Sequence, residues 1–274
     1  MSFQESSLGE AVANDEQISG EGFPLIIRSY PGKRAFDILL SVIALILMLP
    51  VLGITAALIW AFSPGPILYR GLRAGLRGKP FWQLKFRTMT IRHSGDPFTS
   101  QADPRVTPIG KILRLFRIDE LPQIINILKG EMSWVGPRPE DYEVVLRCYS
   151  PDQLRVLSAR PGLTGSVQVK SFPGLEYKIP PGVDPQRYYE EVLLPQRLAE
   201  DIRYVENMSF WLDLKILCAT LYCVLIKSWS VLLRTRKSAT THETIEGEPC
   251  AADTLKGPMP DKAEHKSSLT RAAA

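Results

Sequence analysis

Cysteine is scarce: four residues in 274, Cys148, Cys218, Cys223 and Cys250, show no metal-ligand spacing, and two of them lie in an apolar run. A disulfide framework and a cysteine-built metal site are therefore not expected, and the thiols read as reduced and exposed to a cytosol. The first stretch, Met1 to Gly22, has no basic segment ahead of an apolar run, so it does not read as a secretory signal. No internal repeat is visible. No recognised nucleic-acid module surrounds the basic cluster Arg70, Arg73, Arg77 and Lys79, and the formal net charge is only +4. Nucleic acid is not an expected partner; a membrane surface is. The stretch from 236 to 274 lacks apolar periodicity and reads as a disordered tail, matching a polar N-terminal segment over 1–29.

What is present is a long uncharged run. Ile38 to Phe62 spans about 25 positions without a charge, enough to cross a bilayer core as one helix. Pro50 falls near its midpoint, where it removes a backbone hydrogen bond, and basic residues flank both ends. Both observations suit a re-entrant hairpin over 30–63, two half-helices of about 12 residues and ~18 Å each that enter and leave one leaflet. Asp37 is placed at the interface. An ordinary kinked transmembrane helix is the alternative.

The centre of the chain is Arg114 to Glu140. Asp119 and Glu120 stand ahead of Leu121-Pro122, and proline is tolerated only in a first helical turn, so a helix is expected from Asp119 to about Leu128. Its apolar face would be Leu121, Ile124, Ile125 and Leu128, and Lys129-Gly130 its stop. As N-cap, the Asp119 carboxylate would accept backbone N–H bonds and be held ionised, as a nucleophile or metal ligand requires. Pro137-Arg138-Pro139 restricts the backbone around one guanidinium, a fixed fork suited to phosphate.

Around this centre, Ile67–Arg70 and Phe81–Phe86 read as short strands, with Lys85 and Arg87 on one face as candidate anion ligands. Thr107-Pro108 caps a second helix whose Lys111, Arg114 and Arg117 form a basic stripe, by default a solvated face and, beside the apolar run, a face for lipid headgroups. Glu140–Tyr149 reads as helical. Arg160 to Gly165, RPGLTG, suggests a turn with special backbone angles, and Val167 and Val169 a brief strand. A helix over Gln186–Glu206, interrupted at Pro195, precedes an interfacial or packed helix over Phe210–Lys227. The resulting fold is mainly α with a small β element, monotopic in the membrane, with a domain over 64–235.

The ordered set KRAFD (33–37), the proline-broken run, KFRTM (85–89), IDELPQIINILKGEMSWVGPRPE (118–140), RPGLTG (160–165) and a closing SFWLDLKIL (209–217) resembles the bacterial sugar transferases. These are monotopic polyprenyl-phosphate phosphoglycosyl transferases, and the resemblance covers roughly residues 30–225. It implies transfer of a sugar-1-phosphate from a nucleotide diphosphosugar, best taken as a UDP-sugar, to undecaprenyl phosphate on the cytoplasmic face of the bacterial inner membrane. Mg²⁺ is implied as cofactor. Asp119 would be the nucleophile that forms an aspartyl phosphosugar, with Glu120 beside it and both acids as metal ligands. Arg138 would bind phosphate with Lys85, Arg87 and Arg114, Arg114 and Asp201 would form a supporting pair, and Pro50 would break the membrane helix. Other enzymes of glycan assembly are implied partners. A non-catalytic anchored component of such an assembly is the alternative, and the intact dyad speaks against it. Two departures stand out: Leu49 precedes Pro50 where the family often has Ser, and Ser166-Val167-Gln168 follows RPGLTG where many members have Trp-Ala-Gln.

Overall fold

The computed structural model describes residues 26–90, 105–170 and 183–229. Of the two terminal segments expected to be disordered, only 26–29 fall among these, and there Arg28 N donates to Ser158 O at 2.8 Å.

The first helix, α1 (Lys33–Phe62), starts after Gly32 at φ 83° and ends at Ser63, whose N–H returns to Ile59 O. Pro50 lies inside it rather than between two separate helices. A proline removes one donor and crowds the preceding turn, which bends a helix without having to end it. The buried residues of α1 are Lys33, Asp37 and Ser41 at one end and Thr55 and Ile59 at the other. Between them lie exposed apolar side chains, Ile46 at 69% and Leu49 at 63%. By length and composition α1 is able to cross a membrane.

Next come β1 (Leu68–Ala74) and β2 (Pro80–Phe86), an antiparallel hairpin with Tyr69 opposite Lys85 and Arg73 opposite Phe81. Both strands exceed the expected spans or match them closely, because aromatic and leucine side chains alternate through the hairpin. Thr107 caps α2 (Pro108–Leu115) through its hydroxyl, which accepts from Gly110 N at 2.9 Å, as the sequence indicates. The basic stripe does not run its full length. Arg117 lies beyond α2 with φ 58°, so only Lys111 and Arg114 share the helix.

A 3₁₀ turn, Ile118–Glu120, then leads to α3 (Gln123–Lys129), which Gly130 terminates at φ 88°. The buried face of α3 is Gln123, Ile124, Asn126 and Ile127, whereas Ile125 is 40% exposed. The expected face was displaced because the α-helix begins at Gln123, four residues after the start expected at Asp119. Asn126 joins α3 to the hairpin: Leu84 N donates to its Oδ1 at 3.0 Å and its Nδ2 donates to Trp82 O at 2.8 Å. An outward-facing edge of β2 is thereby satisfied by a side chain.

The remaining elements close around a second small sheet. Strand β3 (Ser133–Val135) pairs in parallel with β4 (Gly162–Thr164). Between them lie α4 (Tyr142–Cys148), capped by Asp141, and a 3₁₀ segment, Gln153–Ser158. RPGLTG is thus largely a strand, and none of its glycines has positive φ. Its glycines serve close approach instead: a Cβ on Gly162 would lie 2.1 Å from Gly136 N. Val167 and Val169, expected in a strand, lie in α5 (Ser166–Lys170), since β4 already takes the extended residues and Val167 can bury itself on a helical face.

Residues Pro185–Tyr188 (α6) pass through a π turn, Tyr189–Leu193, into α7 (Leu194–Glu206), with Pro195 in the first turn of α7. The interruption expected at Pro195 is this π turn, which absorbs the missing donor. Helix α8 (Phe210–Tyr222) starts at a Ser209 cap and continues into a π turn, Cys223–Lys227. Its outer side chains, Trp211 and Leu221 among them, are exposed. One core gathers Tyr142, Val145, Leu194 and Leu198, and a second gathers Val135, Tyr204, Val205 and Ile216.

Candidate active site

The acidic pair is positioned by an unusual backbone. Arg117 occupies the left-handed region, which costs a non-glycine residue energy and turns the chain sharply out of α2. Glu120 N then donates to Arg117 O and Leu121 N to Ile118 O, each at 3.2 Å. Asp119 is therefore held in a 3₁₀ turn and does not cap α3, whose first turn is preceded by Pro122 without a side-chain cap. Proline placed the helix start one turn too early in the sequence reading, because Leu121-Pro122 closes the 3₁₀ turn before α3 begins.

The two carboxyl groups differ. Asp119 is buried, and its Oδ1 has no hydrogen-bond partner. Burial first, then the adjacent Glu120 charge, pushes its pKa up to about 6, against the pull of Lys85, Arg117 and Arg114. Capping was expected to favour the ionised form; without the cap the shift runs upward instead. Glu120 is partly buried, which alone would raise it, but Lys85, Arg117 and Arg138 outweigh that and hold it down at about 2. Its Oε1 receives Lys85 Nζ at 3.2 Å and Arg117 NH1 at 3.0 Å. Neighbouring acids driven apart in this way can divide the work of a site between them.

Of the other residues singled out in the sequence, Lys85 lies at Glu120, with its pKa lowered by burial. The charge of Arg138 acts on both Lys85 and Glu120. Arg138 lines a shallow cleft together with Gly75, Pro137, Glu140 and Tyr149. Arg114 donates from Nε to Thr88 Oγ1 at 2.9 Å and its charge acts on Asp119. Asp201 engages another part of the site: its Oδ2 accepts from Arg138 N at 3.4 Å, behind the PRP segment. Arg87 turns to the end of α1, where its guanidinium donates to Ser63 O and, at 3.0 Å, to Ser63 Oγ. Cations at a helix C-terminus are favourably placed.

Several residues that fix this site were missed. Glu140 forms a buried ion pair with Arg197 and accepts from Tyr189 Oη at 2.5 Å, anchoring the chain just beyond Arg138. Asp37, assigned to the membrane interface, is 1% exposed and accepts from Ser133 Oγ at 3.0 Å and Trp134 N at 3.2 Å. Asp213 is fully buried and receives Lys33, Tyr30 and Tyr204. A lone acid inside an apolar run was the available signal for both. Its partner, far along the chain, was not.

Asp119 and Glu120, with the charges of Lys85, Arg114, Arg117 and Arg138 acting on them, thus share the chain with one long exposed helix apolar enough to be a membrane anchor. The family profile described as bacterial sugar transferase matches residues 28–227, and the chain belongs to that family. It is 42% identical over 199 residues to a UDP-glucose:undecaprenyl-phosphate glucose-1-phosphate transferase of Caulobacter vibrioides, covering 69% of this chain and 67% of that protein. It is 36% identical over 203 residues to a UDP-N-acetylgalactosamine-undecaprenyl-phosphate N-acetylgalactosaminephosphotransferase of Aeromonas hydrophila, covering 70% and 43%. With the exopolysaccharide production protein ExoY of Rhizobium meliloti the figures are 35% over 215 residues, 72% and 87%. The chain spans only 39% of the length of a similar glucose-1-phosphate transferase from Klebsiella pneumoniae.

Proposed function

We propose that the protein is a phosphoglycosyl transferase that moves a sugar-1-phosphate from a UDP-sugar to undecaprenyl phosphate, at the cytoplasmic face of the bacterial inner membrane, to begin an exopolysaccharide or related glycan. The observation that carries this reading is the Asp119 carboxyl, buried with Oδ1 unpartnered, beside a Glu120 that is already engaged by Lys85 and Arg117. An Asp119 pKa of about 6 leaves the group mostly ionised at neutral pH yet poorly solvated, a favourable state for a nucleophile.

In the first displacement an Asp119 oxygen bonds to the sugar-bearing phosphorus, and the bond from that phosphorus to the UMP oxygen breaks. In the second, a phosphate oxygen of undecaprenyl phosphate bonds to the same phosphorus, and the acyl phosphate bond to Asp119 breaks. Sugar-linked undecaprenyl diphosphate leaves and the carboxylate is restored. Arg138 and Lys85 offset the charge that three phosphates bring together.

The residues fit Mg²⁺. That ion is commonly held by one or two carboxylates together with substrate phosphate oxygens, and Asp119 Oδ1 is a buried acceptor with none of its bonding capacity used. Among the described residues there is no group of three or more His, Cys, Asp or Glu able to hold it, so Asp119 and Glu120 would share it with substrate. When bound it would neutralise charge on the diphosphate.

The test is UMP release from a panel of UDP-sugars with undecaprenyl phosphate and Mg²⁺, by detergent-purified wild type and Asp119→Asn. Release confined to the wild type, with a phosphosugar trapped on Asp119, is the expected result. Near-wild-type transfer by Asp119→Asn would end the covalent mechanism.

A further inference from the structure

The hairpin places Tyr69, Gly71 and Arg73 opposite Lys85, Gln83 and Phe81. Directly opposed residues, and alternate residues along each strand, share a face of a sheet. This face is turned to the dyad, since Lys85 reaches Glu120 and Gln83 Nε2 donates to Gln123 Oε1 at 3.0 Å.

Two donors there have nothing to donate to. Arg73 Nε and Gln123 Nε2 are both buried without a hydrogen-bond partner, and Gln123 is only 2% exposed. Buried polar groups are ordinarily paired, so two unpaired donors along one face of the hairpin call for an acceptor-rich ligand. Gly71 lets the side chains on either side of it close over the strand, the Tyr69 ring lying 3.3 Å from where a Cβ would stand. A Cβ at that position would lie 3.6 Å from Arg73 Nε and 3.6 Å from Tyr69 Oη, so these two side chains converge across a bare glycine.

Arg73 is also loosely held. Its ion pair with Asp141 spans 3.3 Å, and the Asp141 side chain is 45% exposed and already accepts from Glu143 N as the cap of α4. Such pairs contribute little to stability and exchange readily. The strand bridge from Arg73 to Asp141, with Ala74 N donating to Glu140 O at 3.1 Å, fixes the end of β1 beside the residues that follow Arg138. The charges of Arg73 and Arg138 both act against Lys85. This crowding of cations is relieved by an anion with more than one phosphate.

We propose that Arg73 is a second guanidinium for the donor diphosphate, binding the phosphate that leaves with the nucleoside and releasing Asp141 to do so, with Gln123 Nε2 as a neutral donor beside it. This rests on the phosphoglycosyl transferase reading. Arg73 stands four strand positions from the residue opposite Lys85, about 14 Å along the strand. Its side chain folds back over Gly71 and shortens that gap, which suits the phosphate next to the one attacked by Asp119.

The experiment uses the full chain in detergent with Mg²⁺, and compares wild type, Arg73→Met, Arg73→Lys and Asp141→Ser. Binding of UDP is measured by calorimetry, and KM is measured for the UDP-sugar and for undecaprenyl phosphate. Arg73→Met should weaken UDP binding and raise the UDP-sugar KM by about tenfold or more, leaving the undecaprenyl phosphate KM unchanged. Arg73→Lys should recover part of the loss, and Asp141→Ser, which keeps a capping hydroxyl, should bind UDP at least as well as wild type. Unchanged UDP binding by Arg73→Met overturns the proposal, as does an equal loss in Asp141→Ser, which would make the ion pair structural. Wild type that binds UDP but transfers nothing would sink the transferase reading, while the Arg73→Met binding comparison still decides this one. Wild type that does not bind UDP overturns both.

Discussion

Lys33 and Asp213 are 180 positions apart and meet at 2.5 Å with both side chains withdrawn from solvent. Lys33 also donates to Val135 O at 3.0 Å, and Tyr204 Oη donates to Asp213 Oδ1 at 2.7 Å. One carboxylate thus fastens the start of α1 and the end of α7 to α8, beneath β3. The Pro137-Arg138-Pro139 segment leaves β3 directly, so the position of Arg138 depends on this junction.

Asp213→Ala removes one partner and leaves the Lys33 ammonium buried and unpaired. Breaking a buried pair in this way costs about 3–5 kcal/mol. Thermal unfolding in detergent should show a large loss of stability, with Asp213→Asn falling between the variant and wild type. A melting temperature within a degree or two of wild type for Asp213→Ala would mean that the junction contributes nothing.

Asp201 supplies a pH dependence. Burial raises its pKa to about 7, against the Arg197 charge, the Arg138 N–H bond and the Arg138 charge, with Glu200 adding to the rise. Tyr149, from the end of α4, faces it and is itself raised by burial and by the Asp201 charge. A folded pKa above the unfolded value means that the folded state binds the proton more tightly. The stability it contributes is complete below about pH 4 and is lost as pH rises toward 7, roughly 4 kcal/mol over three units. Asp201→Asn keeps an oxygen for Arg138 N and removes the titration. Its stability relative to wild type should therefore grow between pH 5 and pH 7, and exceed wild type at pH 8. A difference that stays constant with pH, measured by chemical denaturation, would rule this out.

How far the sequence carried the fold depended on the range of the forces involved. Local rules located the Thr107 cap, the Gly130 stop and the two strands of the hairpin, because each is settled within a few residues. They misplaced Asp119, since a left-handed Arg117 and a 3₁₀ turn are not visible as periodicity. They also missed Asp37, Asp213 and the Glu140–Arg197 pair as buried anchors. Each of these is stabilised by a partner brought from a distant segment, and a single sequence does not name that partner. In the site itself, the alternation in KFRTM suggested one shared face for Lys85 and Arg87, whereas Lys85 is drawn to Glu120 and Arg87 to Ser63 at the free end of α1.

Gly162→Ala should prevent folding. Its Cβ would come within 2.1 Å of Gly136 N and 2.4 Å of Thr164 O, both backbone atoms held in the β3–β4 pair. Neither can yield without separating the strands that carry Arg138. Overpacking in a core costs about 1–3 kcal/mol when side chains can adjust, and here none of the crowding atoms is a side chain. The variant should be recovered only as aggregate, or at a small fraction of wild-type yield by size-exclusion in detergent. A monodisperse, active Gly162→Ala protein would show that this crossing is looser than its geometry indicates.

The path of α1 through the membrane follows from what its two ends hold. Arg34 donates to Ile127 O at 2.6 Å and to Leu128 O at 2.9 Å, while Ile59 packs in one cluster with Phe86, Leu113 and Ile118. Ile118 and Ile127 are joined by one short turn and one short helix, so both ends of α1 are fixed to the same body. A helix that crossed would need its ends separated by a hydrocarbon layer of about 30 Å. We therefore expect Ser29→Cys and Arg70→Cys, each in a chain otherwise free of cysteine, to be silent to an impermeant maleimide outside intact cells. Both should react in inverted vesicles, and Leu49→Cys, in the exposed apolar middle, should be protected in either. Labelling of Arg70→Cys from outside would require a full crossing. The grip of Arg87 on Ser63 and of Lys33 on Asp213 would then have to lie on opposite faces of the membrane, although both belong to one catalytic unit.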